Sequence, residues 1–184
     1  MLMQAARKSL DMVKALVEKG AKVNAKDKKN RTALMYAITS KKTDIANYLI
    51  GKKADINAKD RDRTTLVYAI HETPDLALTL IQKGADVSMK NRHGLTALFE
   101  AVIKGNFNIV KALLAKGADV NVKDPDGVTV LMQAARKSLD MVKALVEKGA
   151  NVNAKDARGR TALMYAEAQK KTDIVGYLKE KMSK

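Results

Sequence analysis

The sequence predicts an all-α solenoid: short helix–turn–helix units stacked in a row and joined by β-hairpin-like loops. Three observations carry this reading. A block of twenty residues, LMQAARKSLDMVKALVEKGA, runs from Leu2 to Ala21 and recurs letter for letter from Leu131 to Ala150; the match continues with scattered changes through Leu49 and Leu178. The shape T-x-L recurs at Thr32-Ala33-Leu34, Thr64-Thr65-Leu66, Thr96-Ala97-Leu98, Thr129-Val130-Leu131 and Thr161-Ala162-Leu163, with Leu2 as a truncated start, so the leucines step by 32 or 33 residues. A second landmark keeps the same step: Gly20-Ala21-Lys22-Val23-Asn24, Lys53-Ala54-Asp55-Ile56-Asn57, Gly84-Ala85-Asp86-Val87-Ser88, Gly117-Ala118-Asp119-Val120-Asn121 and Gly149-Ala150-Asn151-Val152-Asn153. A unit this thin cannot bury both faces of its helices alone, whereas stacked neighbours bury them together.

The landmarks divide the chain, as one domain over 1–184, into approximate units 1–26, 27–59, 60–90, 91–123, 124–155 and 156–184. After each T-x-L comes a helix of small and apolar residues, such as LMYAITS from Leu34 or LFEAVIK from Leu98. A polar break separates it from an amphipathic helix in which Ile109, Val110, Leu113 and Leu114 form one apolar stripe. Gly117 closes that helix where a left-handed residue is needed. Lys123-Asp124-Pro125-Asp126-Gly127 then reads as a turn.

Spacing varies between units. Leu2 to Ala21, Leu66 to Ala85 and Leu131 to Ala150 span 19 steps, whereas Leu34 to Ala54 and Leu98 to Ala118 span 20. The third unit's hairpin, Asp60-Arg61-Asp62-Arg63-Thr64, is one residue short and lacks a glycine, and Lys53 stands where glycine is expected. These departures predict an irregular, less stable stack around the second and third units. The last unit copies the second but puts Glu167 and Lys179 in place of Ile38 and Ile50, and ends in the polar tail Lys179-Glu180-Lys181-Met182-Ser183-Lys184, as a sealed terminal unit should. The first unit has no such seal. Its outer face is predicted to be exposed and apolar, consistent with a trimmed chain, an engineered duplication or a fragment of a longer array, and self-association through it is expected.

Composition bounds the chemistry. Of 184 residues, 46% are apolar but only 4% aromatic, so the core is built from Ala, Leu, Val, Ile and Met. The absence of cysteine excludes disulfides and thiolate metal sites. Thirty-five Lys and Arg against 20 Asp and Glu give a net charge of +15. That bias points to an acidic protein, a nucleic acid or an anionic surface, or else to a solvated lysine-rich exterior. No apolar run approaches the roughly 20 residues that span a bilayer, and Met1–Arg7 lacks the features of a signal peptide, so no membrane insertion and a cytoplasmic location are expected. His71 and His93 have no third ligand in phase and read as surface contact residues. Asp27, Asp60, Asp124 and Asp156 recur with the hairpins and brace them through nearby backbone groups, and Asn24, Asn57, Asn121 and Asn153 read as similarly structural. With no Gly-rich phosphate loop, no catalytic group and no cofactor or metal site are expected.

In phase and period, the T-x-L and Gly-Ala-Asp-Val-Asn landmarks resemble the ankyrin repeat over essentially the whole chain, as a bacterial-style or engineered array; they do not fit the tetratricopeptide pattern. Where that family's T-P-L-H has Pro and His, this chain has Ala33, Thr65, Ala97, Val130 and Ala162, then Met35, Val67, Phe99, Met132 and Met164. The histidine-mediated link between repeats is therefore missing, and apolar packing is expected to hold the register. The resemblance implies a non-catalytic protein-binding scaffold that uses a concave side of hairpin tips and first-helix faces. Carried onto this sequence, those positions are basic. A lysine column runs Lys26, Lys59, Lys90, Lys123 and Lys155; the tips add Lys28, Lys29, Arg31, Arg61, Arg63, Arg92, His93, Arg158 and Arg160; the first helices end in Arg7, Lys8, His71, Lys104, Arg136 and Lys137. Asp62, Glu72 and Asp126 oppose them, and Leu95, Ile103 and Val128 add an apolar patch. An acidic protein is the implied partner. A nucleic acid is the rival, disfavoured by the scarcity of aromatics on this surface and the lack of a helix-turn-helix or zinc signature. An engineered array with no natural partner is the third reading.

Overall fold

The structure, a computed structural model, describes residues 1–182; Ser183 and Lys184 of the expected polar tail lie outside the described residues. The described residues form twelve helices in six pairs: α1 (Leu2–Ala5) and α2 (Leu10–Glu18), α3 (Ala33–Thr39) and α4 (Thr43–Gly51), α5 (Thr65–Glu72) and α6 (Pro74–Gln82), α7 (Ala97–Lys104) and α8 (Phe107–Ala115), α9 (Val130–Ala135) and α10 (Leu139–Glu147), α11 (Ala162–Ala168) and α12 (Thr172–Met182). The chain folds as two compact halves, Met1–Asp86 and Val87–Lys184. In the first half α3 packs between α1 and α5, and α2 lies on α4. In the second, α9 packs between α7 and α11, and α10 between α8 and α12.

The sequence landmarks acquire physical roles. Thr32, Thr64, Thr129 and Thr161 of T-x-L are N-caps, each accepting a hydrogen bond from the backbone N–H three residues on. The leucine two residues later is buried in repeats two to five. Ser9, Asn106 and Ser138 cap second helices in the same way. Lys53 takes the left-handed seat (φ 61°) held by glycine in repeats one, three, four and five.

The alternating spacing also has a cause. In repeats two, four and six one extra residue, Lys41, Gly105 or Lys170, adopts a left-handed conformation between the two helices. Repeats one, three and five turn without it; in repeat three Thr73 leads directly into Pro74 at the first position of α6. The hairpins show antiparallel bridges at Lys59–Thr64, Lys90–Thr96 and Lys123–Thr129. The short third hairpin closes with the Asp60 N–H on the Arg63 carbonyl (3.1 Å), where repeat two bonds Asp27 to Arg31 (3.0 Å). The irregularity expected around repeats two and three is thus absorbed in this loop, and α3 still packs on α5.

Beside the apolar packing of neighbouring helix pairs, an asparagine ladder joins successive repeats within each half. Asn24 accepts from the Asp55 N–H (2.8 Å) and donates to the Lys53 carbonyl (3.2 Å) in the next repeat. Asn57 accepts from the Asp86 N–H (2.8 Å). Asn121 accepts from the Asn151 N–H (2.9 Å) and donates to the Gly149 carbonyl (3.2 Å). One side chain thus satisfies backbone groups at the end of the following repeat's second helix, which would otherwise have no partner within that helix. At the far end, Glu167 is exposed where Ile38 is fully buried, and it pairs with Lys179 at 3.8 Å.

Candidate functional site

The hairpin loops carry most of the predicted contact residues, and a recurring bracket of side chains supports the loops of repeats two, three and six. Asp27 Oδ1 accepts the N–H groups of Lys29 (2.8 Å) and Arg31 (2.9 Å), the bracing expected of these aspartates. Its other oxygen accepts the Tyr36 hydroxyl (2.7 Å) from the first helix. Asp60 repeats this with Asp62, Arg63 and Tyr68, and Asp156 with Arg158, Arg160 and Tyr165. Repeat four reverses the polarity: Asn91 stands for the aspartate and donates to buried Glu100 (2.8 Å), which occupies the tyrosine position. The aspartate-to-tyrosine bond spans eight or nine residues. The tyrosine recurs two residues after the T-x-L leucine in repeats two, three and six. That periodicity was the available signal for the bracket.

The brackets fix the charge state of their carboxylates. Burial works against ionised Asp60, but the Arg63 N–H, the Tyr68 hydroxyl, the Asp62 N–H and the Arg31 guanidinium outweigh it and hold the carboxyl below its ordinary range. Burial and the bond to Asp60 together push the Tyr68 phenol up to about 12. Asp27 and Asp156 are likewise held low by their tyrosine and backbone donors against the opposing effect of burial.

These contacts divide the predicted site residues into two kinds. Arg31 donates to Asp60 (3.1 Å) and to the Tyr68 hydroxyl (3.3 Å), so it links repeats two and three. Arg160 donates to Asp156 (2.8 Å) and to the Tyr165 hydroxyl (2.7 Å) within repeat six. Arg63 lies over the Tyr68 ring and Arg136 over the Tyr165 ring. Lys137 donates to the Ile103 carbonyl of the preceding repeat (2.6 Å). In each case the cation holds the loop or the stack as well as facing solvent. Lys28, Lys29, Lys104 and Arg158 are exposed. Arg61 is exposed and reaches the Lys28 carbonyl at 3.4 Å. Exposed Arg92 donates to Nε2 of exposed His93 (2.8 Å). In the first half Lys29, Arg31 and Arg61 converge with Asp60 and Asp62 on a cleft of about 160 Å³. The apolar patch is smaller than expected, because Val128 is buried in the core; Leu95 is half-buried and Ile103 is 36% exposed. Among the described residues no cluster of three or more His, Asp or Glu could hold a metal ion, and no helix is long and apolar enough to cross a membrane.

The comparisons with known proteins agree with this architecture. The family model for ankyrin repeats, written as three copies, matches residues 1–60, 59–124 and 98–184. No curated protein matches the chain significantly. Among solved structures, an ankyrin repeat domain from Acinetobacter baumannii AYE is similar at a TM-score of 0.87 and 30% identity, over 96% of this chain and 95% of that one. A chain in the complex of a predatory endopeptidase from Bdellovibrio bacteriovorus with its immunity protein is similar at a TM-score of 0.83 and 31% identity, over 98% and 97% of the two chains. Capped helix pairs at a 32- or 33-residue step, hairpin loops between them and a family match along the whole length together show that this chain belongs to the ankyrin-repeat family.

Proposed function

We propose that this protein is a non-catalytic scaffold that binds an acidic protein through the basic hairpin tips and first-helix ends of its repeats. Ankyrin repeats generally mediate protein–protein interaction, and the fold is generally non-catalytic. The similar chain in the endopeptidase–immunity protein complex supports a protein partner for this chain as well. The observation that carries the reading is the exposed set Lys28, Lys29, Arg61 and Arg158, presented on loops that the aspartate brackets hold in place, with exposed Lys104 at the end of α7. Preorganised cations of one sign raise the encounter rate with a complementary surface and suppress like-charged partners. The rival nucleic-acid reading is less well supported, because Tyr36, Tyr68 and Tyr165 lie against arginines with their hydroxyls bonded to aspartate, which makes them poor platforms for base stacking.

A pull-down with the intact chain, run with and without nuclease at two salt concentrations, tests this. A partner of acidic composition should be retained after nuclease and released by salt. Lys28→Glu, Lys29→Glu and Arg61→Glu combined should lose it while keeping the melting temperature, since all three residues are exposed. Recovery that depends on nucleic acid, or that is indifferent to these charges, refutes the proposal.

A further inference from the structure

The duplicated block supplies a comparison internal to the molecule. Leu2–Ala21 and Leu131–Ala150 are identical, and α2 and α10 share the sequence LDMVKALVE and a serine N-cap. Their surroundings differ. The pair α9–α10 lies against α7–α8, and there Met141 is 2% exposed and Leu145 is fully buried. The counterpart Met12 is 53% exposed, Leu16 is half-buried and Ala15 is exposed. Gln4, Ala5, Lys8, Met12, Ala15 and Leu16 line, with Met1, an apolar groove of about 480 Å³. The face that α9–α10 bury against repeat four is therefore presented a second time, uncovered by any described residue, on α1–α2.

We propose that this face takes a second copy of the chain by exchange: α1–α2 of one molecule replace α9–α10 against α7–α8 of another, displacing repeats five and six. Over the twenty residues of the two helices the incoming surface is identical to the one displaced, so the apolar helix surface that leaves α7–α8 is replaced in kind. The last repeat is an unsuitable acceptor because Glu167 and Lys179 replace the isoleucines of repeat two. Within one molecule the continuous chain holds α9–α10 in place at an effective concentration of order millimolar. Exchange is therefore silent in dilute native solution and emerges when repeats five and six open at high concentration. Each displaced α9–α10 carries the same face onward to another α7–α8. The contact is heterologous and need not close, so it propagates into open oligomers.

The absence of cysteine makes a direct test possible. Ala144, the counterpart of Ala15, and Lys111 line the same groove between α8 and α10. A chain carrying Ala15→Cys and a chain carrying Lys111→Cys are mixed at about millimolar concentration, warmed to just below the melting temperature, cooled and oxidised. The expected product is a mixed disulfide dimer that forms only after warming. Adding Met12→Lys to the Ala15→Cys chain should reduce it at least tenfold while leaving the monomer's melting temperature unchanged, because Met12 is exposed in the monomer. Absence of the mixed dimer, or its persistence with Met12→Lys, overturns the proposal. So does an Ala15→Cys homodimer that forms without warming, which would mean that two α1–α2 faces meet head to head.

Discussion

Lys53 shows how far a single residue departs from the rest of the array. It holds a left-handed backbone (φ 61°) at the helix end where Gly20, Gly84, Gly117 and Gly149 hold the same conformation. A Cβ in that region crowds the following carbonyl and costs about 1–2 kcal/mol relative to glycine. Lys53→Gly is therefore expected to stabilise the protein by about 1 kcal/mol, partly offset by glycine's extra unfolded-state entropy. For a chain of this size that corresponds to a rise of roughly 2–4 °C in Tm, measurable by calorimetry. Asp60 is the second informative residue. Its folded-state pKa lies below its ordinary value, so its stabilising contribution is complete above about pH 4 and fades as pH falls through the folded value. Asp60→Asn should lower the urea midpoint at pH 7, and the variant should lose less further stability than the parent between pH 5 and pH 2. Equal acid sensitivity in both proteins would show that the bracket of Tyr68, Arg31 and backbone donors does not govern acid unfolding.

The helix pairs and loops are joined by polar bonds whose periodicity is visible but whose partners are not. Asn57→Ala and Asn121→Ala each remove a side chain that bonds backbone groups of the next repeat. Each is expected to cost about 1–2 kcal/mol in urea unfolding. Amide exchange should also accelerate at Asp86 in the first variant and at Asn151 in the second. In repeat four, Asn91→Asp would set a carboxylate against buried Glu100. The like charges should destabilise the fold by about 1–3 kcal/mol at pH 7. That loss should shrink as pH falls into the carboxylate range, because the pair raises the folded-state pKa above the unfolded one. Adding Glu100→Tyr to Asn91→Asp rebuilds the bracket of repeats two, three and six, and should restore most of the midpoint.

Across the molecule, the proposed partner binding rests on charge and the proposed exchange on apolar surface. The +15 net charge keeps copies apart at low ionic strength, and salt screens it over about 10 Å at 0.1 M. Salt should therefore weaken the proposed binding of an acidic partner while favouring the proposed exchange between copies, so the two should respond in opposite directions in one titration. Parallel responses would show that the same surface serves both.

The repeat, its phase, the two kinds of helix and the basic residues of the hairpin tips are legible in the amino-acid sequence. Each of these is a pattern of residue types at a fixed step, and a period survives in one dimension. Tertiary structure alone decided which residue meets which. It tied Arg31 and Arg160 to Asp60 and Asp156 while leaving them partly exposed, moved Val128 into the core, and made the asparagines a ladder between repeats. Hydrogen bonds between residues about thirty positions apart depend on how neighbouring repeats are set against each other. That geometry belongs to the packed stack, and no single repeat, read alone, contains it.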